Sequence, residues 1–585
     1  MDDPDRITYF AATDARGRKQ PFGIKAVDRG RHMYVIGKTG MGKSTLLENM
    51  AIQDIRNGEG MAFIDPHGSA VETLLEYIPA NRVNDVVYFA PFDLEHPIAF
   101  NVMEDVGYDK RHLVVSGLMA TFKKIWVDAW SARMEYILSN TLLALLEYPG
   151  ATLLGVNRMY TDKSYRKKVI DNVKDPVVKD FWVKEFNTYT DRYTQEATPA
   201  IQNKIGQFTS NPLIRNIIGQ PHSSFDIRTL MDERKILIIN LSKGLVGDTN
   251  MKLLGSMITT RIFLGAMSRA DLSPPELKKS PRFFFYVDEF QNFANETFAE
   301  ILSEARKYNL NLIIAHQYVE QMEEEVAAAV FGNVGTTVAF RVGPFDAEKL
   351  EVVFAPEFTP EDLVNLGFAQ VYMTLMIDGI GSRPFSAVTI PPIEPPPRTY
   401  RQEVIDASRR QFSNPRQGVE TVIYEELASG DMSIPDPIVK KQYGPPKREG
   451  GAGSITPSTQ RTDKPVPYGQ RPRDERPPTA SSSLPPRVVP EVASQDRAIP
   501  QHAQKTSEDL KSLLRAQMEK QGKHTEQKKE VKQTSLKSTL ADVIQKTQTP
   551  VVTPSEPKKA QHLSEEKSVF EVPEEVLRAI FKKEL

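Results

Sequence analysis

The chain has 585 residues, 40% of them apolar, a formal net charge of −2 and no cysteine. That size allows one large core or two plus tails, and the absence of cysteine excludes disulfides and thiolate metal sites. A globally basic surface is excluded, though local basic loops lining a pore are not. No run approaches the ~18 apolar residues of a membrane span, and Met1–Arg6 is too polar for a signal peptide, so a cytoplasmic protein with no integral membrane segment is expected.

The first predicted strand, Met33–Ile36, runs into Val35–Thr45, which reads V-I-G-K-T-G-M-G-K-S-T. This fits G-x-x-x-x-G-K-[ST] with Gly37, Gly42, Lys43 and Ser44. A nucleotide-binding segment Gly37, Lys38, Thr39, Gly40, Met41, Gly42, Lys43, Ser44 and Thr45 follows: the loop N–H groups converge on phosphate oxygens. Lys43 reaches the β/γ-phosphates and Ser44 offers its hydroxyl to Mg²⁺. A helical pattern succeeds it, with Leu46, Leu47, Met50, Ala51 and Ile55 on one face and its positive end toward the phosphates. The strand–loop–helix frame argues against a chance glycine-rich turn, so ATP with Mg²⁺ is the expected cofactor pair.

Strands Met61–Ile64 and Val86–Phe89 continue a β/α segment over residues 1–105. Residues 106–221 read as all-helical, because Met134, Ile137, Leu138, Thr141, Leu142 and Leu145 follow helical spacing. The β/α pattern returns over 222–428 with Lys235–Leu241, Phe283–Val287, Leu312–Ala315 and Thr337–Phe340. Such short apolar runs suit the buried parallel strands of an α/β sheet. The helical block is therefore expected as an insertion within a nucleotide-binding domain.

Phe283–Val287 ends in Asp288 and Glu289. Phosphoryl transfer uses that pairing: Asp288 for Mg²⁺ through its water shell, Glu289 to polarise the attacking water. A helix cap with a solvated neighbour is the plainer alternative, and the upstream P-loop weighs against it. About 245 residues separate Lys43 from Asp288, more than a compact kinase or GTPase needs, and no ABC-type signature lies between them.

The ordered set G-K-T-G-M-G-K-S-T (37–45), F-I-D-P-H-G (63–68), Y-V-D-E-F-Q (286–291), S-E-A-R-K-Y (303–308) and A-H-Q-Y (315–318) resembles the FtsK/HerA class of P-loop motors. It is most similar to the ATPase domains of type IV coupling proteins, over roughly residues 20–425. The resemblance implies a RecA-like core with an all-helical insertion, hexamers, and DNA drawn through a central channel by ATP hydrolysis. It further implies that Gln317 senses the γ-phosphate and that Arg306 reaches a neighbouring subunit's ATP. A strand-end glutamine and a surface ion pair with Glu300 or Glu304 are the plainer alternatives. His316 stands where many relatives have Ser or Thr and receives no role. Asp65, His67 and Gly68 match a family motif near the nucleotide, although turn geometry alone accounts for them. Lys243 and Gly244 face the channel or form a solvated loop.

Two features depart from the family. The membrane helices of coupling proteins are not found, and about 30 residues before the P-loop strand are too few for the β-barrel of HerA-type proteins.

Composition changes near Ser429. Beyond it lie 18 of the 42 prolines and no tryptophan, so 429–585 is expected to be a disordered Pro/Ser/Gln/Lys-rich tail. Short amphipathic patches at Leu510–Met518, Leu536–Ile544 and Val576–Leu585 are transient helices or docking peptides for a secretion-channel or relaxase-like partner. Such a tail could bring the protein to the inner face of the membrane.

The expected function is a hexameric, Mg-ATP-driven DNA translocase of conjugation or secretion. A HerA-like DNA end-processing motor and a nucleotide-dependent adaptor for protein substrates are the alternatives.

Overall fold

Strands that are buried on both faces read as largely apolar runs, and five fully buried runs with two partly buried ones form the parallel heart of an eleven-stranded sheet. The computed structural model describes residues 3–428 except 15–16, 105, 128–129 and 190. The tail 429–585 and its patches lie outside the described residues.

The strands are β1 (Ile7–Thr13), β2 (Pro21–Lys25), β3 (His32–Ile36), β4 (Gly60–Asp65), β5 (Val86–Phe89), β6 (Ile236–Asn240), β7 (Phe283–Val287), β8 (Leu310–His316), β9 (Val334–Ala339), β10 (Gln370–Thr374) and β13 (Phe385–Thr389). A separate hairpin pairs β11 (Met376–Ile377) with β12 (Ile380–Gly381). Across the large sheet the order is β2-β1-β13-β10-β9-β3-β8-β7-β4-β6-β5. Strands β9 through β5 in that order run parallel, whereas β10, β13, β1 and β2 add an antiparallel flank.

The predicted parallel strands are all present. The four flanking strands were not anticipated. They are partly exposed, and β2 contains Pro21 and Gly23, residues that weaken a strand reading. One strand, β8, separates the P-loop strand β3 from the acidic strand β7. Register pairs Ile36 with His316, Val287 with Ile314, and Ile64 with Val287. Gly37, Gln317, Asp288 and Asp65 therefore emerge on one edge, the carboxyl end where open α/β sheets bind ligands.

Each face of the sheet has its own apolar core. One face holds α1 (Lys43–Arg56) and α2 (Ser69–Glu76) over Met33, Val35, Phe63 and Ile238. On the other face Tyr34, Ile36, Ile64 and Ile239 join the helices that follow. Between β5 and β6 all regular elements among the described residues are helical. The stretch includes α3 (Arg111–Ile125) and α4 (Ala132–Glu147). Ser131 caps α4 by accepting from the Met134 N–H, and Met134, Ile137, Leu138, Thr141, Leu142 and Leu145 are all buried, as their spacing predicts. Phe122 stacks on Trp126 at 5.2 Å, and Trp126 meets Phe208 at 5.3 Å. This core is continuous with that of the helix Asp248–Met267, which packs along α3.

A buried ion pair ties the P-loop helix to the acidic strand. Arg29 donates to both carboxylate oxygens of Asp54 at 2.5 and 2.8 Å and to the Tyr286 hydroxyl at 2.9 Å, with Phe284 beneath its guanidinium. Tyr286 donates to Asp54 at 2.5 Å. Burial alone would lower the Arg29 pKa, but Asp54 and Tyr286 more than offset that and hold it above its usual value. Removing one partner strands the other charge. Arg29→Met is therefore expected to cost about 3–5 kcal/mol of stability, measured by urea unfolding.

Candidate functional site

The P-loop spans the gap between β3 and α1, and its glycines are required by geometry at two points. Gly42 has φ 113°, a left-handed conformation that side chains disfavour. At Gly37 an added Cβ would lie 2.5 Å from the Cβ of Phe340. The Phe340 N–H donates to Ile36 O at 2.8 Å, the Lys38 N–H to Arg341 O at 2.8 Å and the Ala369 N–H to Met41 O at 3.3 Å, so the segments after β9 and before β10 hold the loop from outside. As the first residues of α1, Lys43, Ser44 and Thr45 have backbone N–H groups with no acceptor inside the helix. Lys43 is buried and donates to Gly37 O at 2.7 Å. Burial lowers its pKa against the opposing pull of Glu289 and Asp288.

Ser44 Oγ donates to Asp288 Oδ2 at 2.8 Å across 244 positions of sequence. Glu289 adopts φ 49°. It occupies the cap position of the turn Phe290–Asn292, yet its carboxylate makes no capping bond. One oxygen accepts from Gln291 at 2.6 Å and the other from Gln317. Gln317 in turn accepts from Thr39 Oγ1 at 3.0 Å. A hydrogen-bonded chain thus runs from the P-loop through Gln317 to Glu289. His316 points to the other face of the sheet beside Phe290, and burial lowers its pKa to about 3, so it is neutral.

Burial raises the Asp288 pKa to about 6, reinforced by Asp65 and Glu289. Glu48, one turn beyond Ser44 on α1, is raised to about 7, by burial first and then by Asp288 and Asp65. Sequence reading missed Glu48. Its only signal was the i+4 spacing from Ser44. Since the folded-state pKa of Asp288 lies above its ordinary 3.8, the native state binds more protons between those values and loses stability as pH rises through them. Asp288→Asn is expected to flatten that fall between pH 4 and 6 and to raise the melting temperature of the nucleotide-free protein at pH 7. Thermal melts across pH check this.

The remaining candidates divide by position. Asp65 ends β4 and accepts from the N–H groups of His67 at 2.7 Å and Ala70 at 2.9 Å, so its carboxylate caps α2. At Gly68, φ is 88° and an added Cβ would meet Asn240 Oδ1 at 2.8 Å. The side chain of His67 is exposed. Lys243 donates its N–H to Pro66 O at 2.8 Å, which sets its loop beside the Asp65 turn. Its ammonium pairs with Asp248 at 2.6 Å, and Gly244 lies in the one-turn helix that Lys243 opens.

Arg306 is not near this group. It lies in the turn Ala305–Tyr308 before β8, at the opposite edge of the sheet. The seven residues of β8 span about 20 Å at ~3.3 Å each. Arg306 is exposed, and its charge reaches His32 at the start of β3. Glu304 pairs with Lys307 at 2.6 Å, and no ion pair to Arg306 occurs among the described residues.

The residues present suit Mg²⁺ shared with a nucleotide. Ser44 and Asp288 supply hard oxygen donors side by side under the phosphate loop. Among the described residues no cluster of three or more His, Cys, Asp or Glu forms a self-sufficient metal site.

Among the described residues no helix is long and apolar enough to cross a membrane. No curated protein matches the chain. Among solved structures, the plasmid coupling protein TrwB in complex with the GTP analogue GDPNP is 15% identical, covering 68% of this chain and 98% of TrwB, with a TM-score of 0.48. TrwB with ADP and Mg²⁺ is likewise 15% identical over 68% and 98%, at 0.47. VirB4 of Thermoanaerobacter pseudethanolicus is 16% identical over 69% and 99%, at 0.44. Residues 21–353 match the model of the type IV secretion-system coupling protein DNA-binding domain. That match takes in more than half of the chain, from before the P-loop to beyond Gln317. The chain therefore belongs to the type IV coupling protein family of P-loop ATPases, within the FtsK/HerA superfamily.

Proposed function

We propose that the protein is a Mg-ATP-driven DNA translocase of the coupling-protein kind, acting as a homo-hexamer in conjugation or secretion. The observation that carries this reading is the hydrogen-bonded chain Thr39–Gln317–Glu289 beside the Ser44–Asp288 pair. It links the phosphate loop to a carboxylate suited to polarising water. In this reading Lys43 leaves Gly37 O for the β/γ-phosphates, and the free N–H groups at the start of α1 receive the remaining phosphate oxygens. Ser44 and Asp288 would hold Mg²⁺, whose charge offsets that of the phosphates. Glu289 orients and polarises the attacking water, and Gln317 reports the γ-phosphate. Arg306 serves a neighbouring subunit.

Residues 106–221 form the helical insertion between core segments 1–105 and 222–428. Lys243, beside the Asp65 turn and paired with Asp248, belongs to a solvated segment near the site rather than to the DNA channel. The tail 429–585 recruits a secretion-channel or relaxase-like protein, and through it the cytoplasmic motor reaches the membrane. The family's DNA-binding designation supports DNA as the polymer.

The test is ATPase rate against increasing DNA at fixed salt, for wild type and Lys43→Ala. Stimulation of several-fold that vanishes in the variant is expected. Hydrolysis indifferent to single- and double-stranded DNA would replace the translocase with a nucleotide-switched adaptor for protein substrates.

A further inference from the structure

Glu289 occupies a turn whose position is fixed from outside the sheet. Gln291 Nε2 donates to the Glu289 carboxylate at 2.6 Å and Asn292 Nδ2 to its backbone carbonyl at 3.0 Å, so the carboxylate moves with residues 290–294. On its far side the turn meets Lys124, from the last turn of α3. The Lys124 ammonium donates to Gln291 O at 2.8 Å and to Ala294 O. A partly buried ammonium needs such acceptors, and these two carbonyls bracket the turn. Beside them opens a cavity of about 360 Å³ lined by Lys124, Thr249, Lys252, Ser256, Asn292 and Gln321. The turn has open space on this side, while Phe290, Phe293 and Ala294 anchor its other side in the apolar core.

We infer that Lys124 is a positioning residue for Glu289, through which the helical segment between β5 and β6 sets the geometry of hydrolysis. The inference rests on the proposed role of Glu289. A lysine that merely satisfies two carbonyls would affect folding stability alone. A lysine that places Glu289 affects turnover while leaving nucleotide binding intact, because it touches no residue of the P-loop. Misplacement of a catalytic group by about 1 Å can cost up to ~10²-fold in rate.

The experiment uses the full chain as Lys124→Met, Lys124→Arg and Glu289→Gln. It measures kcat, KM, the Kd of a non-hydrolysable ATP analogue, and thermal melting. Lys124→Met is expected to lower kcat by about 10-fold or more, with KM and Kd within about twofold of wild type. Lys124→Arg, which keeps a charged donor, is expected to regain most of the lost kcat. Wild-type kcat in Lys124→Met, or a parallel loss of analogue affinity, overturns the inference. Should Lys124→Met fail to fold, Gln291→Leu leaves the Lys124 bond to the residue 291 carbonyl in place but cuts the path one step on, between the Gln291 side chain and Glu289, without touching α3. The same selective fall in kcat is then expected, and an unchanged kcat overturns the inference. Inactive Glu289→Gln beside fully active Lys124→Met overturns the positioning role alone. Active Glu289→Gln overturns the role of Glu289 and the inference with it.

Discussion

Glu289→Gln is expected to lower ATP turnover by about 10²–10⁴-fold while affinity for a non-hydrolysable ATP analogue stays within a few-fold of wild type. The substitution keeps the shape of the side chain and removes its capacity to take a proton. Glu289 accepts from Gln317 on one oxygen and from Gln291 on the other. An amide at 289 can accept only through its oxygen, so one of those donors loses its partner. Gln317, proposed to report the γ-phosphate, is thereby uncoupled as well as the proposed base removed. No P-loop residue bonds that carboxylate directly: Lys43 rests on Gly37 O, Ser44 on Asp288, and Thr39 reaches it only through Gln317. Phosphate release and fluorescent-nucleotide binding, measured on one preparation, separate the two effects. Lys43→Ala provides the contrast, because it should lose binding and turnover together. Hydrolysis by Glu289→Gln at the wild-type rate would remove Glu289 from the chemistry.

The elements that the sequence made legible are those whose local pattern has a single physical explanation. Val35–Thr45 combines a buried strand, glycines required at Gly37 and Gly42, and an amphipathic helix, and each of these is present. Phe283–Val287 is apolar at every position because β7 is covered on both faces. Helix α4 shows its buried face through spacing alone. What was missed has no such local signature. The flanking strands β1, β2, β10 and β13 are partly exposed and lie far apart in sequence, so their pairing is a tertiary fact. Glu48 looks like an ordinary helix-surface residue until Asp65 and Asp288 are brought beside it. Lys124 meets Gln291 across 167 positions and looks, in sequence, like the basic last turn of any helix. The motif order gave no indication that Arg306 stands a full strand length from Gln317 on the opposite edge of the sheet.

That position yields the other large expected effect. Arg306→Ala should reduce turnover by about 10³-fold or more if its guanidinium stabilises charge on the transferring phosphoryl group. No rotation of the side chain could carry it along the whole of β8 to its own P-loop, so the proposed role requires the ATP of another copy. The turn that holds it is well anchored. Fully buried Arg269 donates to Tyr308 O at 2.9 Å, and His32 bonds Leu302 O at 3.0 Å. Burial lowers the pKa of His32 to about 4, so this brace does not titrate near neutral pH. A fixed mount, an exposed guanidinium and no ion pair to it among the described residues suit a group held for a partner. Mixing the two inactive variants tests the direction of supply. A site that combines the P-loop and Glu289 of an Arg306→Ala subunit with the Arg306 of a Glu289→Gln subunit is complete. Mixed assemblies should therefore hydrolyse ATP faster than either variant alone. If the mixture gives only the average of the two, Arg306 does not act across subunits. If Arg306→Ala alone is near wild type, it is a surface residue. Only supply in trans predicts recovery from two parts that are each inactive.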